Sequence, residues 1–139
     1  MRQVIYLGHF VRLLTDSELV ESVRVWKGWS ERTDVTGVLL CSRENFIHVV
    51  EGKADMIDAV MRYAVSFNAT DGVEVLLDRR VAVRDYPTWT FGTNRQSVSR
   101  LVVEGACSFY LPPETGPSMA SRRRLLPEIF LQSFRDSVT

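Results

Sequence analysis

Two apolar runs joined across a polar tetrapeptide dominate the hydrophobic pattern. Val35 to Gly52, VTGVLLCSRENFIHVVEG, reads as a β-hairpin turning at Ser42-Arg43-Glu44-Asn45. Period two puts Phe46, His48 and Val50 on one face of the second run and Ile47, Val49 and Glu51 on the other. His48 is thus a polar ring in an otherwise apolar row. Upstream, Arg2 to Leu7 alternates as a first strand, with Val4 and Tyr6 on one face and Ile5 and Leu7 on the other. Thr15-Asp16-Ser17-Glu18 has capping-box spacing and predicts a helix from Asp16 to about Glu31. Its inward stripe is Leu19, Val23 and Trp26, with Ser22 and Ser30 beside it and Trp29 one turn beyond. Met56, Ile57, Val60, Met61, Ala64 and Phe67 predict a second helix from Lys53 to about Ser66. Asn68 to Gly72 breaks it, Val73 to Leu77 continues raggedly as a strand through Val81, and Trp89-Thr90-Phe91 makes a short last one.

The order β-α-β-β-α-β-β implies an α+β fold, a ferredoxin-like sandwich with two helices on one face of a mixed sheet. That domain spans residues 1–93, and 94–139 form a mostly helical C-terminal extension. Within the extension, Ser97 to Val103 reads as a helix, Ser108 to Leu111 as an extended piece and residues 112–117 as a breaker-rich loop with three prolines. Met119 to Phe134 is helical in pattern if Pro127 opens a helix as its first residue. Leu126, Ile129, Phe130 and Phe134 would form its apolar face, to be covered by the free sheet surface or by a partner.

Composition narrows the functional classes. The chain of 139 residues is 45% hydrophobic, enough to bury a core, and its 17 basic residues balance 17 acidic ones. No net field favours nucleic acid or a membrane surface, and the run Arg122-Arg123-Arg124 is read first as a solvated helix face. No signal-peptide pattern and no span-length apolar run are present, and the two cysteines, Cys41 and Cys107, have no metal or redox spacing. A reducing cytoplasm is the expected location. Glycine-rich phosphate loops, nucleophile elbows and zinc-helix motifs are missing from the sequence, so no enzyme activity is expected, although a ferredoxin-like scaffold also serves small hydrolases.

The pieces Val4-Ile5-Tyr6-Leu7, Val35-Thr36-Gly37-Val38-Leu39-Leu40, Phe46-Ile47-His48-Val49-Val50-Glu51-Gly52 and Tyr86-Pro87-Thr88-Trp89-Thr90-Phe91-Gly92 resemble the BLUF family, blue-light sensors that use FAD. The resemblance covers roughly the first two-thirds of the chain and implies that a flavin ring would lie between the two helices. It places the pocket at Tyr6, Trp26, Trp29, Ser30, Arg32, Phe46, His48, Trp89 and Phe91. In the family a first-strand tyrosine, a third-strand glutamine and a first-helix asparagine surround the flavin. Tyr6 matches the tyrosine, His48 stands for the glutamine, and Trp29-Ser30 stand for the asparagine. Ala69 and Thr70 occupy the place of the family's basic residues near the flavin phosphates.

An amide carries an acceptor and a donor on one carbon and exchanges them by rotation or tautomerism, whereas imidazole holds one of each on opposite sides of a ring. A histidine therefore cannot perform the glutamine's rearrangement. Trp26 aligns with a small polar residue that touches the flavin, and an indole is close to a flavin ring in thickness. One of the two helix tryptophans is accordingly expected to fill the slot. Ordinary readings stand beside each of these: a helix Trp is commonly core, a lone His in an apolar row is commonly a hydrogen-bonded core residue, and strands favour Tyr for packing. The expectation is a non-enzymatic BLUF-type regulatory domain that acts on an unknown downstream protein, with FAD binding and photochemistry weakened or lost. The alternative is an active FAD-binding photoreceptor. A homodimer through the sheet face and a monomer with its tail folded back would each cover the tail's apolar residues.

Overall fold

The structure is a computed structural model, and it describes residues 1–66, 69–93, 95, 107–108 and 126–137. Its elements are β1 (Arg2–Phe10), α1 (Asp16–Thr33), β2 (Thr36–Cys41), β3 (Asn45–Gly52), α2 (Ala54–Ser66), β4 (Thr70–Arg80), β5 (Trp89–Thr93), β6 (Cys107–Ser108) and α3 (Leu126–Ser137). The sheet runs β4-β1-β3-β2-β5-β6. Strand β1 is antiparallel to β3 and β4, β2 is antiparallel to β3, and β5 is parallel to β2 and to β6. This is the expected α+β ferredoxin-like arrangement, with β5 where Trp89-Thr90-Phe91 predicts the last strand and the two-residue β6 added beside it.

Local sequence sets the element boundaries. Thr15 caps α1 with its hydroxyl accepting from Glu18 N at 3.1 Å, while the Glu18 carboxylate accepts from Thr15 N at 3.1 Å. Two otherwise orphan donors are satisfied reciprocally, and Arg12 holds the Glu18 carboxyl down to about 2. The helix ends at Asp34, which adopts the left-handed conformation at φ 58° and donates its N–H to Ser30 O. At the hairpin, the Ser42 hydroxyl donates to Asn45 Oδ1 at 2.6 Å and Ser42 N donates to Asn45 O at 2.8 Å. Strand β4 starts at Thr70, earlier than Val73, because Phe10 pairs with Thr70 across a register shift. A second shift lies between Ile5 and Tyr6. Both leave the extra residue on β4, and such bulges twist an edge strand away from pairing with another sheet.

The alternation of β1 and β3 divides the core in two. Val4, Tyr6, Phe46 and Val50 pack with Leu19, Val23, Ile57, Val60 and Ala64 of α1 and α2. Ile5, Leu40, Ile47 and Val49 pack on the opposite face with Leu131 and Phe134 of α3. The tail thus lies on its own sheet, on the surface left by the first two helices. Its buried face differs from the expected one: Ile129 is 54% exposed, whereas Pro127, Leu131 and Phe134 are buried and Phe130 is partly so. Pro127 occupies the second helical position. Counting from it, 127, 131 and 134 share one stripe, and residue 129 falls on the far side. The expected helix at Ser97–Val103, the loop at 112–117, Arg122 to Arg124 and Phe67 lie outside the described residues.

Candidate functional site

The cross-strand register assembles a row of side chains beneath α1. Tyr6 pairs with His48, His48 with Leu39, and Leu39 with Phe91, all on the face shared with α1 and α2. Two glycines make room around the row. Gly8 pairs with Phe46, and a Cβ on Gly8 would sit 2.4 Å from the Phe46 ring, so the ring lies directly over that backbone. Gly37 pairs with Trp89, and a Cβ on it would sit 1.8 Å from Val49 O, so its lack of a side chain lets β2 lie close against the β3 backbone.

His48 is 1% exposed and both of its ring nitrogens are engaged. Trp89 Nε1 donates to His48 Nε2 at 3.0 Å, and His48 Nδ1 lies 2.6 Å from the Tyr6 hydroxyl. An indole N–H only donates, so Nε2 must be the bare nitrogen and the proton must sit on Nδ1. The Tyr6 oxygen therefore accepts from His48. A second proton on the imidazole would set N–H against N–H at Trp89, and burial lowers the His48 pKa to about 3. His48 stays neutral through the physiological range. Burial also raises the ionisation of Tyr6 and of the Cys41 thiol well above their ordinary values, so the cluster carries no charge.

Trp26 covers this row from α1. Its ring is 4.9 Å from His48 and 5.2 Å from Tyr63 of α2, in each case edge to face, and Trp29 meets it at 6.1 Å. The indole divides the space between the helices. On the sheet side a cleft of about 40 Å³ is lined by Tyr6, Phe10, Trp26, Phe46, His48 and Tyr63 among others. On the outer side a hollow of about 100 Å³ lies among Val25, Trp26, Trp29, Ala59, Val60 and Tyr63.

Of the residues singled out from sequence, Tyr6, Trp26, Phe46, His48, Trp89 and Phe91 converge here, with Trp29 at the outer rim. Ser30 does not join them. It is buried and its hydroxyl donates to Val35 O, closing the turn between α1 and β2. Arg32 is exposed in the last turn of α1. Tyr63, Leu39, Cys41 and Phe10 were not among the expected pocket residues, yet they line the cleft, as does Ser22 from beside the inward stripe of α1. Tyr63 lies three residues from Val60 on α2, so helical spacing carried that signal.

A second buried polar centre occupies the opposite face. Glu51, fully buried at the end of β3, accepts from Asp85 N at 2.9 Å and from Tyr86 N at 3.3 Å. Gln3 Nε2 donates to Glu51 Oε1 at 2.8 Å and to Asp85 Oδ2 at 2.8 Å. Arg84 donates to Glu51 O at 3.0 Å, to Thr36 Oγ1 at 2.6 Å and to Asp34 O at 2.7 Å. The Tyr86 hydroxyl then donates to Glu128 of α3 at 2.8 Å, which ties the loop to the tail. Among the described residues no group of three or more metal-ligating side chains occurs, and no helix is long and apolar enough to cross a membrane.

The sheet order and the two helices on one face define an α+β ferredoxin-like domain. The family described as BLUF, sensors of blue-light using FAD, matches residues 1–92, and the chain belongs to that family. No curated protein matches it in sequence. Among solved structures it is similar to a bacterial light-regulated adenylyl cyclase, with 16% identity and a TM-score of 0.62 over 99% of this chain and 34% of that one. It is also similar to the BLUF protein BlrB in its dark state, with 18% identity and a TM-score of 0.62 over 73% of this chain and 77% of that one. The BlrP1 BLUF domain shows 22% identity and a TM-score of 0.57, covering 65% of this chain and 62% of that one. The chain spans about a third of the length of the light-regulated cyclase, and these likenesses establish the shared fold.

Proposed function

We propose that this chain is a non-enzymatic BLUF-type regulatory domain that signals by contact with a partner protein, and in which flavin binding and blue-light chemistry are weakened or lost. The observation that carries the reading is Trp26, whose indole stands over His48 and against Tyr63 in the space between α1 and α2. The remaining cleft of about 40 Å³ is far below the roughly 300–1,000 Å³ of ordinary cofactor sites. The donor set points the same way. His48 has both nitrogens committed to Trp89 and Tyr6, and Ser30 donates its one hydroxyl proton to Val35 O, so neither offers a free donor to a flavin edge. These residues do not fit an isoalloxazine, and no photochemical step is assigned to them. The alternative, an active FAD photoreceptor, draws on Tyr6, which keeps the position of the family's tyrosine.

An absorption spectrum from 300 to 550 nm tests this, on purified protein incubated with excess FAD and freed of unbound ligand, before and after blue light. The expected result is a colourless protein. A flavin band that shifts reversibly on illumination would establish the photoreceptor instead, and an unshifting band would show that the pocket survives without the switch.

A further inference from the structure

The lock on His48 leaves one proton without a partner. Because Trp89 fixes the imidazole proton on Nδ1, the Tyr6 oxygen receives a hydrogen bond and its own O–H must point elsewhere. Tyr6 is 1% exposed, and among the described residues His48 is its one hydrogen-bond partner. A buried hydroxyl proton in that position is costly unless an acceptor meets it. Tyr6 is one of the residues that line the cleft beneath Trp26. There Phe10, Leu14, Leu19, Leu39 and Phe46 form apolar walls, and among the described residues no charged side chain takes part. The nearby Ser22 hydroxyl donates to Glu18 O within its own helix at 3.0 Å.

We propose that this cleft binds a small uncharged carbonyl compound, whose oxygen accepts from the Tyr6 hydroxyl and whose carbon body fills the apolar walls beneath Trp26. The inference rests on the reading that Trp26 excludes flavin, and it names what the reduced pocket takes instead. Size sets the ligand class. Space of about 40 Å³ corresponds to about three waters, roughly 90 Å³ of liquid, or a body of about five or six heavy atoms. The lack of charged lining disfavours anions and cations alike, because neither would recover its desolvation cost there.

Cyclopentanone and methylenecyclopentane, equal in shape and differing in the acceptor oxygen, make the test. Each is titrated into the full chain while the indole N–H resonances of Trp26 and Trp89 are followed. Saturable shifts are expected with cyclopentanone, and binding of methylenecyclopentane should be about two- to tenfold weaker, the range for one neutral hydrogen bond. Tyr6→Phe should erase that preference while leaving the hydrocarbon's affinity in place. Ser22→Trp, at the half-buried wall of the cleft, should block both ligands. Equal binding of the two probes, a preference that persists in Tyr6→Phe, or no binding of cyclopentanone would overturn the proposal. Uptake of FAD in the absorption experiment would overturn the parent reading instead, so the two failures are distinguishable.

Discussion

The two faces of the sheet each bury one polar residue of β3, and they satisfy it by different means. On the α1/α2 face, His48 is held by two other side chains, Tyr6 and Trp89, and is covered by Trp26. On the α3 face, Glu51 is held largely by main-chain N–H groups of residues 85 and 86 together with Gln3. Side-chain partners are exchangeable by substitution, whereas a backbone nest is fixed by the loop that forms it. The first face is therefore the one that substitution can remodel without moving the backbone. The second is where the loop from β4 to β5 and the C-terminal helix are anchored.

Substitutions should separate the two faces, and Glu51→Leu is expected to have the largest effect. It strands the N–H groups of Asp85 and Tyr86 and the Gln3 amide, and should cost about 3 kcal/mol or more in urea unfolding. An unchanged midpoint would mean that the loop finds other partners. Leu131→Ala removes a fully buried side chain of α3 and should cost about 2–4 kcal/mol, with amide exchange accelerating in α3 and on the Ile5, Ile47 and Val49 face ahead of α1. Uniform acceleration on both faces would show one undivided core. Smallest at neutral pH, His48→Gln keeps a donor and an acceptor in place and should cost about 1 kcal/mol.

Its pH profile is more informative. The folded-state pKa of His48 is depressed to about 3 against 6.5 for the free side chain, so between those values the unfolded chain binds the extra proton. Stability from His48 is full above pH 6.5 and is lost as pH falls toward 3. The native chain should therefore lose stability over that window relative to His48→Gln, and parallel profiles would show that the fold does not depress the titration of His48.

Alternation and capping made much of this molecule legible from its residues. Period two placed Phe46, His48 and Val50 opposite Ile47, Val49 and Glu51, and the Thr15–Glu18 capping box fixed the start of α1. The Tyr6–His48 pair follows once β1 and β3 are antiparallel neighbours. Three features needed the folded chain. The Trp89 contact depends on parallel pairing of β2 with β5 across a glycine, a relation between segments about fifty residues apart that no local pattern encodes. Glu51 reads as the end of a strand until residues 84–86 fold back over it. Ser30 reads as a helix-face residue, but its hydroxyl is claimed by the turn to Val35. The Ile129 error has a simpler origin: at helical spacing a stripe through Leu131 and Phe134 leaves residue 129 on the far side of α3.

The occupancy of the interhelical slot by Trp26 is the central claim, and equilibrium dialysis of FAD against the native chain and Trp26→Ala tests it most directly. Removing the half-buried indole should cost about 2 kcal/mol of stability and open the space between α1 and α2. The account predicts negligible uptake by the native chain and at least tenfold stronger uptake by Trp26→Ala. Stoichiometric FAD on the native chain, or equal affinity in the two, would contradict it.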